Sequence, residues 1–201
     1  MAKLEETYLK NHGIYCIEGL WDYSGINEKS SIVPLLEIIK NNTYAKFICY
    51  DAATKEEYKF YLKKWINSKS IHEKYPILYF ASHGEKGSIL LPEKNKITLE
   101  ELGELLEDKC QNKILYFGTC STLGVSPKLI KDFMKKTKAL AIIGYEKEVD
   151  WVRSAAFDIL NFDVMQIFSF DKKGVKLMKE RIISQTKDLF KELNLIFEIR
   201  E

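Results

Sequence analysis

Two side chains in this sequence combine chemical capability with a telling position, His83 and Cys120. His83 closes the run Tyr75-Pro76-Ile77-Leu78-Tyr79-Phe80-Ala81-Ser82 and precedes Gly84; Cys120 closes Lys113-Ile114-Leu115-Tyr116-Phe117-Gly118-Thr119. An imidazole titrates near neutrality and can take or return a proton. A thiol relieved of its proton is a strong nucleophile, so the pair suits attack on an acyl carbon. Each residue ends a short apolar, aromatic-rich run of strand length. In an open parallel sheet all strand C-termini meet at one edge, where such folds hold their ligands. If the two strands are neighbours, base and nucleophile share a cleft.

The remaining elements must deliver that edge. Gly13 to Gly19 reads as a first strand, with Trp21 and Asp22 in the loop after it. A helix follows over 31–41, capped by Ser30 or Ser31, with Val33, Leu36 and Ile39 on one face. Ala45 to Tyr50 is the second strand, and Asp51 ends it in turn chemistry. Thr54 caps a helix that carries Tyr58, Tyr61, Leu62 and Trp65 to about Ser68. After the third strand, Ile77 to Ser82, Gly87 and Pro92 bracket a short strand or hairpin arm. Thr98-Leu99-Glu100-Glu101 is a capping box for the next helix. The fourth strand delivers Cys120, and Ser126-Pro127 starts a helix to about Lys136. Ala139 to Gly144 is the fifth strand, Asp150 opens a helix through Phe162, and an amphipathic helix spans 173–194. This alternation predicts an α/β fold: a three-layer sandwich with a mainly parallel central sheet and helices on both faces. A single domain over 1–201 is expected, with the C-terminal helix packed on it.

Composition narrows the function classes. With 201 residues and 46% hydrophobic content the chain can bury a substantial core. Thirty-one basic and 29 acidic residues, well mixed, give a net charge of +2 and no reason to expect nucleic acid or an anionic membrane. No apolar run reaches the ~20 residues a bilayer needs. Cys16, Cys49, Cys110 and Cys120 show no Cys-x-x-Cys spacing and do not cluster with His12, His72 and His83, which predicts a reduced, cytoplasmic setting and no metal site. Cys16, Cys49 and Cys110 are expected to be buried and inert, and His12 and His72 to be solvated. Neither Gly-x-Gly-x-x-Gly nor a P-loop is present to cradle a nucleotide.

Three stretches carry a resemblance to a known family: Phe80-Ala81-Ser82-His83-Gly84; Tyr116-Phe117-Gly118-Thr119-Cys120-Ser121-Thr122; and Ile142-Ile143-Gly144-Tyr145-Glu146-Lys147-Glu148-Val149-Asp150-Trp151 with the following Ser154-Ala155-Ala156-Phe157. Their joint order resembles the caspase-like (clan CD) cysteine peptidases, and more narrowly the bacterial CHAT-type branch. Ser121 and Tyr145 depart from the acidic residue and the tryptophan common there.

The resemblance implies a cysteine endopeptidase, without metal or organic cofactor, acting on a protein or peptide substrate in regulation or defence, together with a regulatory protein partner. Cys120 would be the nucleophile, His83 the acid and base, and the Gly84 amide, with that of Cys120, the oxyanion hole. Strand-end positions nominate Asp22, Thr119, Tyr145, Glu146, Glu148 and Asp150 for substrate binding. Their acidity suggests a pocket for a basic side chain; equally, Asp150 is an N-cap and Glu148 a solvated loop residue. Two readings compete with the enzyme: a catalytically idle scaffold of the same fold, and an unrelated α/β domain binding a small ligand at the sheet edge.

Overall fold

In a computed structural model of the protein, which describes residues 10–21, 31–43 and 45–200, strand and helix alternate as the pattern predicts. The order is β1 (Ile14–Gly19), α1 (Val33–Asn42), β2 (Phe47–Ala52), α2 (Lys55–Asn67), α3 (Lys69–Lys74) and β3 (Ile77–Ala81). A hairpin region follows: β4 (Gly84–Glu85), β5 (Ser88–Leu90) and β6 (Lys96–Thr98). The chain continues through α4 (Leu99–Leu105), β7 (Ile114–Gly118), α5 (Pro127–Thr137), β8 (Ala141–Tyr145), α6 (Trp151–Met165), α7 (Lys172–Glu192) and β9 (Leu195–Ile199).

Six strands form the central sheet in the order β2-β1-β3-β7-β8-β9, all parallel except β9. Successive side chains on a strand point to opposite faces. One face carries Ile14, Cys16, Ile77, Tyr79, Ile114, Tyr116 and Ile143 against α1, α6 and α7. The other carries Tyr15, Ile17, Leu78, Phe80, Leu115, Phe117 and Ile142 against α2, α4 and α5. The molecule is therefore a three-layer α/β sandwich. Burial on both faces is why the inner strands read as unbroken apolar runs.

Helix starts follow their caps. Thr54 with Glu57 and Thr98 with Glu101 form reciprocal capping boxes, and Ser126 and Asp150 accept from the backbone N–H groups of Leu129 and Arg153. The start of α1 differs from expectation. Its cap position is Ile32, and the buried carboxylate of Glu18 accepts the Ile32 N–H at 2.6 Å and the Ser31 hydroxyl at 2.8 Å. Ser30 lies outside the described residues.

The structure adds to the sequence reading: α3 is a short helix before β3, β4 and β6 flank the expected arm β5 in a three-stranded antiparallel sheet, and β9 is an antiparallel edge strand after α7. His12 and His72 are half-buried, correcting the expectation of solvated rings. His12 stacks on Phe170 at 3.7 Å and bonds the Phe168 carbonyl, while His72 lies over Trp65 and bonds that of Lys109. Burial lowers the pKa of both. Among the described residues, no helix is long and apolar enough to cross a membrane.

Candidate functional site

β3 and β7 are hydrogen-bonded neighbours, with Ala81 paired to Gly118. His83 and Cys120 each stand two positions past that pair, so they leave the sheet level with one another and on the face of Tyr79 and Tyr116. Both line a single cavity of about 170 Å³ at the C-terminal edge of the sheet. Its lining includes Trp21, Tyr79, Ser82, Tyr145, Ser154 and Asp158.

Several contacts fix the two loops against each other. A Cβ on Gly84 would lie 2.5 Å from the Cys120 carbonyl oxygen and 2.5 Å from Thr122 Oγ1, so a bare α-carbon is what lets the His83-Gly84 turn approach the nucleophile loop. The Gly87 N–H donates to the Thr122 carbonyl at 3.1 Å, and the Thr122 hydroxyl to that of Ser88 at 3.1 Å. Immediately after Cys120, Ser121 adopts φ 59°, an uncommon left-handed conformation for a residue with a side chain. That kink turns the chain sharply off the end of β7, and the Ser121 N–H donates to the Lys147 carbonyl at 3.0 Å. Cys120 itself is partly exposed; Cys16 and Cys110 are buried and Cys49 is half-buried.

The imidazole has a defined orientation. His83 Nε2 lies 2.7 Å from the Trp21 carbonyl oxygen, which can only accept, so Nε2 bears hydrogen and Nδ1 carries the lone pair of the neutral ring. Trp21 is held in turn: its indole N–H donates to Glu18 at 2.6 Å, and its ring packs edge-on to His83 and Trp151. Glu18, 1% exposed at the end of β1, thus anchors both the start of α1 and the residue that orients His83.

At the cavity floor sits Asp158 of α6, 3% exposed. Its Oδ2 accepts from Tyr79 at 2.7 Å; its Oδ1 accepts from Tyr145 at 2.6 Å and from Tyr116. Burial raises its pKa from 3.8 to about 6, against the opposing pull of the three hydroxyls. Burial, then the nearby Asp158 charge, pushes the three tyrosines well above their ordinary range, so all remain donors. Gly118 keeps the floor open, since a Cβ there would meet Tyr79 Oη at 2.5 Å.

The nominated substrate-binding residues scatter. Tyr145 lines the cavity with its hydroxyl committed to Asp158. Thr119 is buried and donates to Thr122 Oγ1 at 2.7 Å, facing away from the cavity. Glu146 and Glu148 are exposed and line no part of it. Asp150 also stands outside, capping α6 through the Arg153 N–H at 2.9 Å. Asp22 lies outside the described residues. Glu146, Glu148 and Asp150 therefore do not furnish the pocket.

Glu18, Trp21 and Asp158 were not singled out from sequence. The one trace was the repeat Ile-Leu-Tyr-Phe at 77–80 and 114–117, which places two tyrosines on one face of adjacent strands. Among the described residues no group of three His, Cys, Asp or Glu side chains could hold a metal ion.

The sequence from residue 11 to 198 matches the profile of a family described as a family of unknown function (DUF6642). No curated protein matches the chain.

Proposed function

The chain belongs to the DUF6642 family, whose function is unknown, and we propose that it is a cysteine endopeptidase with Cys120 as nucleophile and His83 as general base. The observation that carries this reading is that the two side chains line one cavity from the ends of hydrogen-bonded strands, with Gly84 seated against the Cys120 backbone. A thiol and an imidazole brought together from distant sequence, beside a bare glycine, form the minimal equipment for acyl transfer.

In this reading Nδ1 of His83 takes the Cys120 proton, and the thiolate adds to the scissile carbonyl. The backbone amides of Gly84 and Cys120 are the candidates to stabilise the developing oxyanion. Collapse breaks the C–N bond as His83 passes the proton to the leaving amine. Water, deprotonated by the same imidazole, then hydrolyses the thioester and restores the thiol. The Trp21 carbonyl favours the imidazolium that forms midway, since that cation keeps its Nε2–H bond.

Incubation of the full chain with fluorogenic peptide libraries and thiol-directed peptidyl electrophiles tests the proposal. Cleavage and labelling at Cys120 are expected, both lost in Cys120→Ala, with His83→Ala lowering cleavage by a factor on the order of 10²–10⁴. A folded protein that neither cleaves nor labels at Cys120 would leave the scaffold reading in its place.

A further inference from the structure

We infer that Asp158, at the floor of the Cys120 cavity, is the specificity residue for a lysine or arginine side chain preceding the scissile bond, an inference that rests on the peptidase reading above.

The donor and acceptor inventory of the cavity carries the argument. Tyr79 and Tyr145 spend their hydroxyl hydrogens on Asp158. Ser154 spends its hydrogen on the Trp151 carbonyl at 3.0 Å, and Ser82 lies within reach of the His83 and Leu90 carbonyls at 2.8 and 3.0 Å. Among the described residues, every hydroxyl and carboxylate lining the cavity therefore offers lone pairs to an occupant. The complementary guest is one with donors and no acceptor, which among side chains means the lysine ammonium, the arginine guanidinium or the tryptophan indole, and the first two also bring the charge that Asp158 lacks opposite it. An aspartate, the caspase preference, would present lone pairs to lone pairs and a second negative charge to the first.

Charge points the same way. Asp158 is buried, and among the described residues no cation pairs with it. A buried anion without a counter-ion is costly, and a substrate cation removes that cost upon binding. The walls suit the rest of such a side chain. Trp21, Tyr79, Tyr145 and Trp151 line the cavity and offer apolar ring surface to an aliphatic stem. About 170 Å³ accommodates one side chain, on the scale of the ~150 Å³ cavity that takes a benzene molecule. Gly118 supplies the access, because any side chain there would close the path between Cys120 and Tyr79.

The test is a positional profile of the full-length wild-type chain on fluorogenic peptides with Lys, Arg, Leu, Met or Asp before the cleaved bond. Lys or Arg peptides are expected to exceed the others in kcat/KM by about a hundredfold, as for one desolvated charge pair. Asp158→Asn is expected to remove most of that preference, read as the ratio of Lys and Arg to Leu and Met peptides within the variant itself. Cys120-dependent cleavage that favours Leu, Met or Asp overturns the assignment and leaves the peptidase standing. Cleavage of nothing by folded protein overturns both. The wild-type profile decides the matter even if Asp158→Asn does not fold.

Discussion

Replacing Asp158 by Asn should change how stability depends on pH, and the direction follows from the site. The folded carboxyl holds its proton up to about pH 6 instead of 3.8, because burial penalises the anion by more than three tyrosine hydroxyls relieve it. A carboxyl whose pKa rises on folding contributes its full stability below the unfolded value and loses it as pH climbs through the folded value. Over that gap the loss amounts to about 3 kcal/mol, at about 1.4 kcal/mol for each tenfold change in proton affinity. Asparagine has the shape of the protonated acid and does not ionise. Urea unfolding of wild type and Asp158→Asn between pH 3 and 8 should thus show their stability difference moving by about 3 kcal/mol in favour of the variant as pH rises, mostly between pH 4 and 6. Titrations common to both proteins cancel in that difference. A difference that stays flat, or moves toward wild type, would refute the reasoning: the tyrosines would then satisfy the anion fully, and no cost would remain for a cationic guest to relieve.

Other substitutions probe the frame around the dyad. Gly84→Ala places a methyl 2.5 Å from the Cys120 carbonyl oxygen, so the chain should lose about 1–3 kcal/mol in urea unfolding and label more slowly at Cys120. Glu18→Gln exchanges one acceptor oxygen for a donor facing Trp21, Ser31 or the Ile32 amide. It should cost about 1–3 kcal/mol and lower kcat more than it raises KM, because Trp21 no longer fixes the His83 ring; an unchanged kcat would remove Glu18 from any role in positioning. Thr54→Ala removes a cap remote from the cavity and should cost about 1 kcal/mol without altering the peptide profile, which makes it a control for general destabilisation.

The framework was readable wherever local chemistry dictates structure. Thr54, Thr98, Ser126 and Asp150 each announce a helix by a side chain that bonds the adjacent backbone, and the apolar runs before His83 and Cys120 announce buried parallel strands. β9 was hidden because Leu-Ile-Phe-Glu-Ile follows α7 with no Gly or Pro to separate them, and its strand character comes from pairing with β8. Asp158 was hidden for a related reason. Within α6 it is one acidic residue in a helical pattern, and its meaning emerges when three strands bring Tyr79, Tyr116 and Tyr145 beneath it. The acids nearest the strand ends drew attention by proximity in sequence, yet Asp150 is occupied with a helix terminus and Glu146 and Glu148 face solvent. Glu18 escaped notice because a carboxylate at a strand end is ordinarily wet, whereas here a helix start and an indole close over it.

The twin Ile-Leu-Tyr-Phe segments of β3 and β7 create an ambiguity that the protein has to resolve. Sliding one strand past the other by two residues would keep every side chain on its own face, yet it would carry Cys120 about 7 Å along the strand axis away from His83. Tyr79 and Tyr116 reach one carboxylate only when they stand abreast, so Asp158 serves as a ruler that indexes the two strands. The residue assigned to reading the substrate would then also keep thiol and imidazole aligned, and drift at that position would cost the protein its selectivity and its chemistry together.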